Sequence, residues 1–464
     1  MQILNIIYVV AAVVFLFGAA VFVHEFGHFW MARKRGLKVE GFSIGFGPKI
    51  FGWRKDGIDY AWRWIPAGGF VALPQMVTAE AIEGKSDSAE PLPPISPLSK
   101  ILVSFAGPFM NVVFAFAIAT LIYFIGLPVP VNPPVIGYVD PASPEGKMGI
   151  QEGDIIVSVA GHPIQSWENV IEASILAPTN VLSVVIKHQG VATTYHLQTT
   201  ISEAFGLKVL NLDPRDHPVI KGFTDGSAAE AAGLKEEDEI VSFAKIPIAG
   251  REQLIKLIQD RPNLPTEIVV KRGTQHLTIA ITPKANPDTS KGLIGAQIGG
   301  SDKVTYELSH PTPWAQVKEV FLKMLNTFSA LAHSKQTGVG AKDLSGPVGI
   351  FVMLASQVNS DYRLALSFLV LLNINLAFLN LLPLPVLDGG HIAIAILEKI
   401  RRRPLSVKFV EYSTTVFAAL LISFMLYVSY HDIKRIPLFK LMFKRDVQIQ
   451  QVEPSHSPAP APAK

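Results

Sequence analysis

The 464-residue chain is 49% hydrophobic and 17% charged, with a positive mean hydropathy. That is too apolar for an ordinary soluble protein and too charged for a bare bundle of spans, so membrane segments and soluble domains are both expected. A net charge of +3 gives no reason to expect nucleic acid, and the absence of cysteine excludes disulfides, thiolate metal sites and thiol nucleophiles.

Residues 1–30 read as the first span. Ile3 to Val23 is uncharged and long enough to cross a bilayer. It has neither a basic N-terminal region nor a small-residue cleavage site, so it is expected to be retained. It closes on His24-Glu25-Phe26-Gly27-His28. Two histidines four apart on a helix point the same way and can share one metal ion, with the glutamate beside them toward the metal's water. The bland alternative is that they cap the span at the interface. Residues 31–100 form a loop with a membrane-associated β segment. There Ile58, Tyr60, Trp62 and Trp64 alternate ahead of Gly68-Gly69-Phe70-Val71, a strand edge to which an unwound peptide could add. The second span, 101–127, carries Gly107-Pro108-Phe109-Met110-Asn111.

Residues 130–217 and 218–303 are two copies of one module. Pro134-Val135-Ile136 returns 84 residues later as Pro218-Val219-Ile220, and at the same offset Asp154 meets Asp238 and Ile156-Val157-Ser158 meets Ile240-Val241-Ser242. Each copy reads as strand, short helix, strand, helix and hairpin. The pattern resembles PDZ domains of the permuted kind. Their last strand, here Phe205-Gly206-Leu207 and Gly292-Leu293-Ile294-Gly295, would line a groove for peptide C-termini. Steric modules without a ligand fit the pattern equally. In the amphipathic stretch 311–360, Trp314, Val317, Val320, Phe321 and Met324 share a helical face, expected either against the second module or in the membrane interface.

The third span, 364–388, ends in Asn380-Leu381-Leu382-Pro383-Leu384-Pro385-Val386-Leu387-Asp388-Gly389-Gly390-His391. The prolines break the helix and leave Asp388 at its end. A catalytic zinc site needs three protein ligands and one open position, and Asp388 is the natural third ligand beside His24 and His28. Asn111, Asn375 and Asn380 could bond substrate carbonyls or pack between helices. A basic link (389–409), a fourth span (410–431) and a tail (432–464) that is basic and then disordered complete the chain.

The loops after spans one and three carry Arg33, Lys34 and Arg35, and Arg401, Arg402 and Arg403, which places them in the cytoplasm. The repeat then lies outside, and all three ligand candidates share the cytoplasmic level. Lys434 and Arg435, beyond span four, run against the rule. The fold expected is therefore a polytopic α-helical membrane protein of four spans with two tandem PDZ-like α/β domains on the extracytoplasmic side.

His24-Glu25-x-x-His28 on the first span, with Asn-x-x-Pro-x-Pro-x-Leu-Asp-Gly on a later one, resembles the site-2 protease family of intramembrane metalloproteases. The paired modules narrow the resemblance to the bacterial regulator-of-sigma-E protease branch. It implies Zn²⁺ held by His24, His28 and Asp388, Glu25 as general base, and Gly68 to Val71 as the substrate-binding strand. It further implies residence in the bacterial cytoplasmic (inner) membrane. Single-pass transmembrane proteins would be the substrates, an anti-sigma factor and remnant signal peptides among them, cut within the bilayer after a prior extracytoplasmic cut. Two rivals are an inactive PDZ membrane scaffold and a zinc transporter or sensor. A scaffold has no use for Glu25, and a transporter would want ligands along a path rather than at one end.

Overall fold

The computed structural model describes residues 2–76, 95–130, 134–139, 141–201, 208–215, 218–224, 226–286, 289–299, 305–403, 405–442 and 448–449. The chain divides into two compact units: 1–128 with 308–325 and 341–443, and 129–307 with 326–340 and 444–464.

The first unit contains, among the described residues, four helices long and apolar enough to cross a membrane: Ile3–Lys34, Pro97–Ile125, Tyr362–Asn380 and Lys408–Arg435. They lie within helices α1 (Gln2–Lys34), α2 (Pro97–Ile125), α5 (Tyr362–Asn380) and α7 (Val407–Met442). At 1.5 Å per residue α1 is about 50 Å long and α7 about 54 Å, so each outruns a hydrocarbon core of roughly 30 Å. Helix α2 begins with Ser96 capping Ser99 N at 3.2 Å, ahead of Pro97. Its Ala115, Ala119 and Ile122 pack with Ala20 of α1 and Leu369 and Val370 of α5.

The third span is shorter than expected. It stops at Asn380; Pro383 and Pro385 cannot donate to a helix, and a new helix, α6 (Asp388–Arg401), opens at Asp388. Most of the anticipated link is thus helical. Helix α7 likewise runs past the expected end of span four. Asp432 is fully buried and accepts from Gly346 N at 2.9 Å and Gly349 N at 2.8 Å, at the start of α4 (Pro347–Ser360). Arg435 reaches the Asp343 carboxylate at 3.8 Å. These partners give a carboxylate and a guanidinium local reasons to sit at that end, which a count of basic residues cannot register. Helix α3 (Pro313–Ala332) sets Val317 and Val320 against α2, where Gln316 Nε2 donates to Ala119 O at 2.9 Å; Trp314 stays 67% exposed.

Between α1 and α2 the chain forms β1 (Gly41–Lys55) and β2 (Ile58–Ala72). Residues 41–44 pair with 59–62 on one side and with 69–72 on the other, while 51–55 also pair with 58–62. The two strands therefore fold into a sheet four ribbons wide, in the order 51–55, 58–62, 41–44, 69–72. Residues 69–72 are an edge. Phe42, Ile44, Ile58 and Val71 bury the inner face against Val21 of α1 and Val103 of α2.

The second unit holds two modules built in the order anticipated. In the first, the five-stranded sheet runs 162–163, 155–159, 181–188, 191–201, 208–210. In the second, 275–281, 266–272, 239–243, 219–223 and 296–299 lie side by side. The repeat reaches deep into the packing. Ile136, Ile156, Val159, Ile164, Val170, Val184 and Ile186 form the first core, and Ile220, Ile240, Phe243, Ile248, Leu254, Ile268 and Val270 occupy the same places 84 residues on. The repeated aspartates have a shared duty. Asp154 accepts from Gln151 N at 2.9 Å and pairs with His188 at 2.5 Å; Asp238 accepts from Lys235 N at 2.9 Å and binds Arg272 through both oxygens at 2.7 Å. Each ties the strand's entrance to the hairpin. Of the expected groove strands, Gly292–Leu293 pairs with Lys284–Ala285, whereas Phe205-Gly206-Leu207 lies outside the described residues.

Asp238→Asn should strip a fully buried carboxylate from Arg272 and weaken the second module by about 1–3 kcal/mol. Amide hydrogen exchange should quicken across residues 219–281 and stay unchanged across 155–198; equal protection in both modules would show that the aspartate does not hold the hairpin.

Candidate metal centre

Helix α1 brings His24, Glu25 and His28 together through simple periodicity, because residues four apart share a face. His24 and Glu25 are each only 8% exposed. Asp388 arrives from the far end of the chain in the first turn of α6, where a carboxylate is favoured by the helix dipole. His24 Nε2 and His28 Nε2 stand 3.2 Å apart; His24 Nε2 is 3.3 Å from one Asp388 oxygen and His28 Nε2 is 3.4 Å from the other. All the candidate donor atoms lie within 4.8 Å of one another. Three ligands at 2.0–2.1 Å around a tetrahedral ion stand about 3.3 Å apart, so the donor set fits one zinc-sized ion.

The imidazoles are oriented from behind. His28 Nδ1 donates to Val103 O of α2 at 2.8 Å, which leaves its Nε2 lone pair toward Asp388. His24 Nδ1 lies 3.2 Å from Asn111 Nδ2, and Asn111 is fully buried with its side-chain oxygen unpartnered. Either end of the amide holds the ring; with its oxygen toward Nδ1, it accepts the imidazole proton and leaves Nε2 free. Gly107, between these partners, is a steric requirement: a Cβ there would stand 2.3 Å from His28 Nε2.

The anticipated substrate strand lies directly over the glutamate. A Cβ on Gly69 would meet Glu25 Cγ at 2.7 Å, so only glycine lets this edge pass so close. Phe70 stacks on Phe46 at 6.5 Å between centroids, beneath the Arg63 guanidinium at 5.4 Å. Gly68 sits beside the Phe46 ring, and Val71 faces the core. Of the three asparagines, Asn380 approaches His24 Nε2 at 3.4 Å. Asn111 is committed to His24. No hydrogen bond links Asn375 to the trio among the described residues, and its side-chain oxygen is buried without a partner.

Sequence reasoning passed over Val103, whose carbonyl rather than side chain acts, and Lys100, whose ammonium lies 2.9 Å from Glu398 of α6. The available signal was spacing. Lys100, Val103, Gly107 and Asn111 fall at i, i+3, i+7 and i+11, one stripe of α2.

The family model described as peptidase family M50 matches residues 12–424. The chain belongs to peptidase family M50. This is the site-2 protease family that the motifs resemble, and the M50 chain described here is a metalloprotease. It is similar to a putative zinc metalloprotease of Vibrio cholerae serotype O1, 30% identical over 92% of this chain and 98% of that one. It is also similar to Protease RseP of Yersinia pestis, 29% identical over 93% of this chain and 100% of that one. The regulator of sigma-E protease RseP of Escherichia coli K12 is 27% identical over the same two shares.

Gly107→Ala should displace His28 and cut bound zinc well below one ion per chain with helical circular dichroism unchanged. A full zinc complement in that variant would mean that His28 can yield without cost.

Proposed function

We propose that this M50 metalloprotease holds Zn²⁺ on His24, His28 and Asp388 and cleaves single-pass membrane proteins within their transmembrane segments. The observation that carries the reading is the approach of two imidazole nitrogens, 3.2 Å apart, to a carboxylate that sets one oxygen 3.3 Å from His24 and the other 3.4 Å from His28, beside a buried glutamate under a strand edge. The bound ion supplies Lewis acidity toward a peptide carbonyl and lowers the pKa of a water toward about 7. Glu25 takes the proton of the attacking water and returns it to the leaving amine. Asn380, 3.4 Å from His24 Nε2, is placed to donate to a carbonyl at the same centre.

A transmembrane substrate presents its carbonyls inside a helix and must unwind before attack. Edge 69–72 offers backbone groups to the unwound segment, so strand addition compensates the broken helical bonds at the position of Glu25. The home of the protein is the bacterial inner membrane, with the metal centre near the cytoplasmic side and the two PDZ-like modules outside. The modules act as a filter that bars substrates with bulky outer domains, so cleavage follows a prior external cut. An anti-sigma factor and remnant signal peptides are the substrates that the resemblance to the regulator-of-sigma-E protease branch implies.

Glu25→Gln should lower cleavage of a trimmed single-span reporter by at least ~10²-fold while zinc content stays native. Equal cleavage by native protein and variant would remove Glu25 from the proton path. Proline placed in turn at positions 68 to 71 should slow cleavage without releasing zinc; unchanged rates would refute strand addition. Deleting residues 134–300 should admit reporters that retain their outer domains, and continued strict selectivity would count against the filter.

A further inference from the structure

The helix that carries Asp388 is only partly buried beyond its first turn. Within α6 only Gly389, Gly390 and Ala395 are buried, while Ile396, Leu397 and Ile400 are 45%, 42% and 73% exposed. Gly389 and Gly390 sit against the turn that precedes them, where a Cβ would stand 2.2 Å from Leu381 O and 2.1 Å from Leu384 O, so the start of α6 is fixed by that turn while the roll of its remaining length on α2 is left to other contacts. One polar contact has direction. Glu398 Oε2 meets Lys100 Nζ at 2.9 Å, and Glu398 Oε1 accepts from Leu405 N at 3.2 Å. The two side chains are only 11% and 17% exposed, unlike the mobile, screened pairs of an open surface. Lys100 begins the stripe of α2 that continues through Val103, Gly107 and Asn111, the groups that meet His28 and His24. Glu398 is ten residues from Asp388, about 15 Å along a rigid helix, so fixing one end aims the other.

We propose that the Lys100–Glu398 ion pair is a positioning device for Asp388: it sets the roll of α6 on α2 so that the carboxylate stands against both imidazoles. The proposal rests on the reading of His24, His28 and Asp388 as zinc ligands. A buried pair of this kind contributes little net stability over an apolar replacement, so its use lies in geometry.

The test uses the full chain in detergent, with zinc affinity from chelator competition, the visible spectrum of the Co²⁺-loaded protein and the thermal midpoint. Glu398→Gln and Lys100→Met should each weaken zinc binding by roughly 10- to 100-fold and alter the cobalt spectrum. The charge-reversed double variant K100E/E398K should recover native affinity and spectrum. K100M/E398M, which leaves no unpaired charge, should keep a native thermal midpoint yet bind zinc weakly. Native affinity and spectrum in K100M/E398M would overturn the proposal, as would single variants that lower only the thermal midpoint. Asp388→Ala separates the two readings. If it retains zinc at native affinity, the ligand assignment falls and the positioning role with it; if it loses zinc while the pair variants do not, only the positioning role falls.

Discussion

Everything at the centre depends on one stripe of α2. Two histidines come from α1 and an aspartate from α6, elements near opposite ends of the chain, and α2 lies against both. Val103 turns His28, Asn111 holds His24, and Gly107 leaves the space in which the His28 ring stands. Buried imidazoles and carboxylates are costly unless each finds a partner, so these contacts do more than stabilise. The Val103 carbonyl fixes which His28 nitrogen faces Asp388, and a free ring nitrogen at that place is what a metal ion would require.

The sheet beside the centre obeys a related constraint. Its inner face is apolar and packs on α1 and α2, which pins the register, because a one-residue slip would turn Val71 outward. With the register pinned, Gly69 falls over Glu25, and the edge at 69–72 is left with hydrogen-bonding groups to offer. The same burial that excludes water strengthens any interaction Glu25 makes with a proton. Edge and glutamate are thus placed by one hydrophobic contact surface.

The second unit shows how far a sequence repeat can constrain a fold. Apolar positions 84 residues apart fill equivalent places in two cores, and Asp154 and Asp238 brace equivalent hairpins. The bracing partners differ: a histidine in one module and an arginine in the other, so only the second receives a two-oxygen grip. A similar economy holds α7, where one buried carboxylate accepts from two backbone amides at the start of α4.

By itself the sequence determined the four apolar helices, the repeat, and the pairing of His24-Glu25-x-x-His28 with a distant Asp388, because hydropathy, period and short motifs are local properties written into consecutive residues. It also marked Gly69 and Asn380, which the structure brings beside Glu25 and His24. Where the third span stops, and the helix that opens at Asp388, were half visible in Pro383 and Pro385; the helical content of the link was not, since a short basic segment between spans reads as a loop. The tertiary structure alone decided that Asn111 faces His24 while Asn375 does not join the trio, that Val103 acts through its carbonyl, that Arg435 meets Asp343, and that Lys100 meets Glu398. A backbone carbonyl leaves no trace in residue identity, and a partner hundreds of residues away leaves none in spacing. Such contacts exist only once α1, α2 and α6 have packed, when burial makes every polar group find whichever neighbour the packing has brought within reach.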